Sequence, residues 1–171
     1  MAATTTWYEQ NGTASGSPAS GTESTISSCD WKSVDDSTTS RASAPVLAGS
    51  NSYHKYIYPK FTGTFNQISA VKFAHTAGTL GTGISLKSKV TSTYATPSTT
   101  ALASSTDITS TTAIGSGASV LLSTTGPNGS TSASQTTTCY TQYIVTQVQT
   151  TTAANAGDSG TVTLTVQYNE N

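Results

Sequence analysis

The chain contains few charged residues, and this shortage is its most informative feature. Asp, Glu, Lys and Arg together make up 9% of its 171 residues, against about 25% in a typical soluble domain. Serine and threonine supply more than a third of the sequence, so hydroxyl groups replace charge as the source of solubility. Threonine is also β-branched and fits a pleated surface. The composition therefore predicts extended β-structure with a neutral, hydrogen-bonding surface.

Other absences disfavour whole classes of protein. The net charge is −1 and the basic residues form no cluster, so we expect no nucleic-acid partner. No apolar run approaches the ~20 residues that span a bilayer, so we expect no membrane association. Residues 1–7 contain neither a basic stretch nor an apolar core, and we therefore expect no secretory signal here.

Side chains that carry chemistry are scarce. Cys29 and Cys139 are the only cysteines; two free thiols are favoured because no secretory signal is expected, and a disulfide between them is the alternative. His54 and His75 have no cysteine or carboxylate at the spacing of metal ligands. No Gly-x-Ser-x-Gly motif is present. We therefore expect no catalytic residue, no cofactor and no metal, and a protein that is not an enzyme.

The few charges form two groups. The acidic group is Glu23, Asp30, Asp35 and Asp36. It lacks the residue order of a calcium loop, so a solvated loop is favoured over a cation site. The basic group is Lys55, Lys60, Lys72, Lys87 and Lys89. We interpret it as protection of strand edges; the alternative is a mildly basic patch that faces an acidic partner.

Residues 1–50 are poor in apolar side chains, and residues 11–28 are small and polar with no period. Such a stretch cannot bury enough surface to order itself alone. Trp7, Tyr8 and Trp31 interrupt this segment. We predict an extended N-terminal arm with these residues as anchors onto the body or a neighbouring subunit. In the alternative interpretation they cover the core of their own domain.

Residues 51–61 are dense in aromatic side chains, which favours a β-strand. Pro59 argues for an edge or the end of a strand. Neighbouring residues of a strand point to opposite faces. The odd position of Tyr53 and the even positions of Tyr56 and Tyr58 cover both faces, so at least one of these tyrosines should face outward. We predict that these three are further partner-contact residues, with core packing and sugar binding by stacking as the alternatives.

The clearest strand patterns lie further along the chain. Residues 68–75 and 84–91 place apolar side chains on one face. Residues 161–168 alternate strictly between polar and apolar side chains. The inward side chains of the last strand are Val162, Leu164, Val166 and Tyr168. No stretch shows helical spacing. We predict an all-β chain whose body, residues 51–171, is a β-sandwich or resembles a jelly roll.

Residues 98–138 are mostly Ser, Thr, Ala and Gly. A loop this long is unusual in a compact domain, so we predict a Ser/Thr-rich excursion that contains short strands. Ile108 and residues 120–122 are the candidates for those strands, and residues 126–129 carry a strong turn signal.

Three stretches carry a resemblance when they are taken together: SYHKYIYPKFTGTFNQISAVKF at 52–73, VTSTYATPS at 90–98 and GDSGTVTLTVQYNE at 157–170. They resemble small structural proteins of tailed-bacteriophage virions, especially the capsid decoration (cement) proteins. The resemblance covers about a third of the chain. It implies a protein made in the host cytoplasm that binds the major capsid protein on the outer capsid surface and stabilises the shell. It also implies a homo-oligomer, with a trimer favoured.

Two other functions stay open at this point. Within phage biology, the alternative is a tail, collar or fibre component. In another class, the chain would be a carbohydrate-binding adhesin module that uses its tyrosines and Ser/Thr-rich loops.

Overall fold

The computed structural model describes residues 2–107, 120–155 and 160–171, together with the backbone of 113–114. The described residues contain strands and turns but no helix, and therefore no helix that could cross a membrane. In chain order the strands are β1 (Thr4–Ser15), β2 (Ser20–Ile26), β3 (Lys55–Thr62), β4 (Ile68–Ala77), β5 (Ile84–Thr91), β6 (Thr106–Asp107), β7 (Ala113–Ile114), β8 (Leu122–Ser123), β9 (Ser134–Gln135), β10 (Cys139–Thr141), β11 (Tyr143–Thr150) and β12 (Thr163–Glu170).

The strands form two antiparallel sheets that pack as a sandwich. The larger sheet has the order β2-β1-β3-β11-β5-β6, with β10 beside β3 and β8 beside β10. The smaller sheet has the order β12-β4-β7, with β9 beside β4. Edge-to-face rings join the two sheets: the centroids of Trp7 and Phe73 lie 5.3 Å apart, and those of Phe61 and Tyr168 lie 4.8 Å apart. The predicted all-β, sandwich-like fold is confirmed.

Strand β3 is covered on both faces. Ile57 and Phe61 point into the core between the sheets, while Tyr56 and Tyr58 point to the opposite face of the larger sheet. On that second face Tyr56, Tyr58, Tyr94 and Tyr143 form a buried group, here called the tyrosine cluster. Leu102, from the predicted excursion, packs against it. A second, smaller core therefore lies outside the sandwich.

We expected Pro59 at an edge or a strand end because it has no N–H group. It lies instead in the interior of β3. It pairs with Trp7 on one side. On the other side β10 and β11 flank β3 but carry no residue in register with Tyr58 or Pro59. Gln142, between those two strands, donates its backbone N–H to the Leu121 carbonyl instead. The proline therefore occupies a break in the hydrogen-bond ladder, where its lack of a donor has no cost.

Residues 2–50 take part in the fold as two distinct pieces. β1 pairs with β3 over seven residues, from Thr4–Thr62 to Gln10–Tyr56, and β2 pairs with β1. Backbone pairing needs no apolar period, so this polar sequence forms strands once β3 offers a partner. Residues 27–50, here called the covering segment, contain no strand and lie against the inner face of the larger sheet.

Two buried lysines hold the covering segment. The Lys55 ammonium is 2.6 Å from Glu9 Oε1 and also donates to the Asp36 carbonyl at 2.9 Å. The Lys32 ammonium donates to Asp36 Oδ1 at 2.7 Å and to the Thr39 carbonyl. Lys32 and Lys55 are each 1% exposed. Our assignment of Lys55 to an edge-protecting group is therefore wrong, because its ammonium is paired inside the protein.

The predicted excursion at 98–138 contains the short strands β6 to β9. Of the expected strand at 120–122 only Leu122 lies in a strand, β8, and the Gly129 N–H donates to the Gly126 carbonyl in the expected turn. The predicted Ile108 strand lies outside the described residues.

Removal of one member of the buried ion pair should strongly destabilise the fold. Lys55→Met leaves Glu9 buried without its partner, and we expect the free energy of unfolding to fall by about 3–5 kcal/mol. Urea denaturation measures this loss. Lys72→Met is the matched control, because Lys72 is an exposed lysine on β4. The double variant Glu9→Leu with Lys55→Met should recover most of the loss. Equal stability of Lys55→Met and Lys72→Met would contradict the assigned role.

Candidate functional site

The two histidines bond to the backbone of their own chain. His54 Nε2 lies 2.8 Å from the Thr100 carbonyl oxygen, and His75 Nε2 lies 2.7 Å from that of Ala77. Burial lowers the pKa of His54, so its ring is neutral at pH 7. Neither ring bonds to a serine or a carboxylate among the described residues, which also contain no group of three His, Cys, Asp or Glu side chains that could hold a metal ion.

Both cysteines are free thiols. Burial raises the pKa of Cys29 to about 12 and that of Cys139 to about 11. The thiolate is the reactive form of cysteine. At pH 7 both side chains are therefore protonated and act as small apolar groups.

Asp35 and Asp36 of the acidic group have a structural role in place of the solvated loop that we expected. Asp35 Oδ2 accepts the Gly12 N–H at 2.7 Å, which ties the covering segment to β1. Asp36 accepts the Lys32 ammonium and the backbone N–H of Thr39 at 2.8 Å. The Lys32 ammonium and the Thr39 hydroxyl hold the pKa of Asp36 well below its usual range.

Trp7 and Trp31 pack against the core of their own chain. Trp7 lies on β1 with its ring against Phe73. Trp31 lies in the covering segment, where its indole Nε1 donates to Thr146 Oγ1 at 3.0 Å. Both rings are half-buried. The sequence left two interpretations of these residues open. The contacts match the interpretation in which Trp7 and Trp31 cover the core of their own domain.

The four tyrosines that we predicted as contact residues differ in accessibility. Tyr8 stacks on Tyr58 with ring centroids 5.6 Å apart, and both Tyr8 and Tyr53 are half-buried. Tyr56 is 4% exposed and Tyr58 is 0% exposed. A partner could reach neither of these two, because both faces of β3 are covered.

Three of the four hydroxyl groups of the tyrosine cluster, those of Tyr58, Tyr94 and Tyr143, bond within the protein. Tyr58 donates to the Glu23 carboxylate, Tyr143 to Gln10 Oε1 at 2.8 Å, and Tyr94 to the Gly12 carbonyl at 2.7 Å. Burial raises the pKa of all three tyrosines. The cluster is therefore a structural element and offers no ring face to a sugar.

A cavity of about 1060 Å³ lies between the two sheets and the covering segment. We call it the inter-sheet cavity. Its walls come from β1, β3 and β11 on one side, from β4 and β12 on the other, and from the covering segment. Its large apolar lining residues are Trp7, Ile26, Trp31, Val46, Leu47, Ile57, Phe73, Leu80, Ile84, Val148, Val162 and Leu164.

The core is less closely packed around the inter-sheet cavity than at the other end of the sandwich. At the other end of the sandwich, Phe61, Ile68 and Ile144 are 0% exposed. Around the cavity, Trp7, Val148 and Leu164 point inward but are only half-buried. The cavity is partly open at the surface, where its lining residue Leu47 is 68% exposed, so water can enter it. The cavity is therefore a space for solvent or a ligand.

Sequence patterns could not have revealed the inter-sheet cavity. Alternation correctly placed Leu164 on the inner face of β12, and Val162, just before that strand, also packs against the core. It reports which face points inward, but it carries no information on how closely the opposite sheet approaches. The presence of both tryptophans in the first 31 residues was the one available signal of an apolar surface there.

Comparisons with known proteins give no relative from which a function could be transferred. No family model matches the chain, and no curated protein or solved structure matches it either.

The low pKa of Asp36 makes a prediction for acid stability. Its carboxylate stabilises the fold fully above the pKa of about 3.9 of an unfolded aspartate, and this contribution is lost as the pH falls toward the lower folded pKa. Asp36→Asn should therefore lower the free energy of unfolding at pH 7 by about 1–2 kcal/mol.

The difference between Asp36→Asn and the unmodified protein should shrink from pH 5 to pH 2, as measured by urea denaturation at each pH. Asp107→Asn is the control, because it removes an exposed partner of Lys87 and should change stability by less than about 1 kcal/mol. A difference for Asp36→Asn that stays constant with pH would contradict the assignment.

Proposed function

We propose that this protein is a non-enzymatic structural component of a virion, a decoration protein that binds the major capsid protein on the outer surface and stabilises the shell. The observation that carries the proposal is the internal use of its reactive side chains. Both histidines and the carboxylates Glu9, Asp35 and Asp36 bond to groups of their own chain. A protein built in this way works by contact, and the resemblance to decoration proteins suggests the partner.

The smaller sheet supplies a surface suited to contact. Strand β12 pairs with β4 on one side, and no described residue pairs with its other edge. β12 contains neither lysine nor proline, the residues that commonly protect such edges. Its Thr163 and Gln167 side chains are exposed and uncharged. An exposed edge of this kind can accept a strand from another chain.

An oligomer would strengthen such a contact. A homotrimer, the form favoured by the resemblance, presents three copies of each edge to the capsid. Linked contacts add avidity without any new kind of interaction, so each contact can be modest. The low net charge of −1 fits close packing of copies, because neighbouring subunits repel one another little.

The adhesin alternative has less support. It requires tyrosine rings that a sugar can stack on, whereas Tyr56 and Tyr58 are buried and the Tyr58 hydroxyl bonds to Glu23. No observation favours it over the decoration protein.

Location on the particle tests the proposed function. Antibodies raised against the recombinant chain would be applied, with gold label, to purified virions that carry its gene. We expect label over the whole capsid, and its disappearance when the antibody is first absorbed with recombinant protein. Label confined to the tail, collar or fibres would replace the proposal with the tail alternative. Virions that carry no label and lack the chain by mass spectrometry would refute a virion role.

A further inference from the structure

We propose that the inter-sheet cavity is a binding site for a neutral, apolar small molecule. This inference goes beyond the proposed function and does not depend on it, because it uses only the lining and the walls of the cavity.

The size and lining of the cavity fit a small-molecule site. Its volume of about 1060 Å³ lies just above the range for pockets that hold drug-sized ligands, about 300–1,000 Å³. Three aromatic rings, those of Trp7, Trp31 and Phe73, face it together with aliphatic side chains. Water beside such walls lacks hydrogen-bond partners, so an apolar ligand gains by displacing it.

The charges of the lining indicate a neutral ligand. Among the described residues, the charged lining residues are Asp30 and Arg41, one of each sign, so the described lining carries no net charge to hold an ion. Cys29 also lines the cavity, and burial keeps its thiol protonated. Hydroxyl groups of the lining, such as those of Ser27 and Ser28, can satisfy a small number of polar atoms. The ligand is therefore an apolar molecule with at most a few uncharged polar groups.

The walls of the cavity are fixed by hydrogen bonds. Thr150 Oγ1 donates to the Leu47 carbonyl at 2.8 Å, and the Gly49 N–H donates to the Thr151 carbonyl at 3.1 Å. These bonds hold the end of the covering segment on β11. Trp31 is fixed by Thr146. A site with fixed walls loses little freedom when a ligand enters, which favours binding.

A small molecule fits this site better than a macromolecular partner. All the walls belong to one chain, and both sheets and the covering segment surround the space. A partner protein would have to insert an apolar segment between them. Such an insertion by a second copy of the chain would produce a dimer, which light scattering detects.

The tryptophans provide a direct assay. The chain has two tryptophans, and both line the cavity. The neutral apolar dye N-phenyl-1-naphthylamine would be titrated into the purified protein. We expect saturable binding of one dye per chain, a rise in dye emission and a matching loss of tryptophan emission. Binding that does not saturate, or that leaves tryptophan emission unchanged, would overturn the proposal. A dimer that is detected by light scattering and that blocks dye binding would also overturn the proposal.

Competition tests the ligand class on the same unmodified protein. Decan-1-ol and decanoate share a chain length and differ in charge at pH 7. We expect decan-1-ol to displace the dye at a lower concentration than decanoate, because the lining has no net charge. The opposite order would show an anion site and overturn the assignment to neutral ligands.

A matched pair of variants places the binding in the cavity. Val162 lines it, whereas Val166 faces the same core on β12 without lining it. Val162→Phe should weaken dye binding about tenfold because its ring occupies ligand space. Val166→Phe should leave the affinity within about twofold. Circular dichroism checks that both variants fold. Equal affinity of the two folded variants would place the dye elsewhere and overturn the proposal.

Discussion

The buried ion pair between Glu9 and Lys55 is the interaction on which the rest of the structure depends. Its atoms lie 2.6 Å apart, and it joins β1 to β3 at the inner face of the larger sheet. The same ammonium binds the carbonyl of Asp36, whose side chain binds Lys32. A buried charge that loses its partners strongly destabilises the folded state. The covering segment is therefore attached to the sheet, and with it one wall of the inter-sheet cavity.

This attachment explains why the sandwich is closely packed at one end and hollow at the other. Where the two sheets meet directly, Phe61 and Ile144 are fully buried. At the other end the covering segment forms one wall of the cavity, and Trp7 and Leu164 of the two sheets line it. A scaffold that works by contact needs rigid sheets and exposed edges. The hollow end adds a site of a different kind, which can bind a small molecule whether or not the protein sits on a capsid.

The sequence predicted those parts of the fold that depend on side-chain period. The alternation of Leu164 and Val166 placed the inner face of β12, and the absence of helical spacing indicated an all-β chain. It did not predict β1 and β2, because backbone pairing with β3 requires no apolar pattern. Nor could it show that Lys55 is buried or that both faces of β3 are covered. Those properties depend on segments distant in sequence, and so does the cavity.

Hydrogen exchange of the covering segment tests the central claim most directly. Within it, the Ser33 N–H donates to the Ala44 carbonyl, and the N–H groups of Thr38 and Thr39 donate to Asp36. If the buried lysines attach this segment to the sheet, mass spectrometry should find peptides from residues 32–44 exchanging at least about 100-fold more slowly than an unstructured peptide. Exchange at the unstructured rate, while β3 stays protected, would show a free arm and contradict the account.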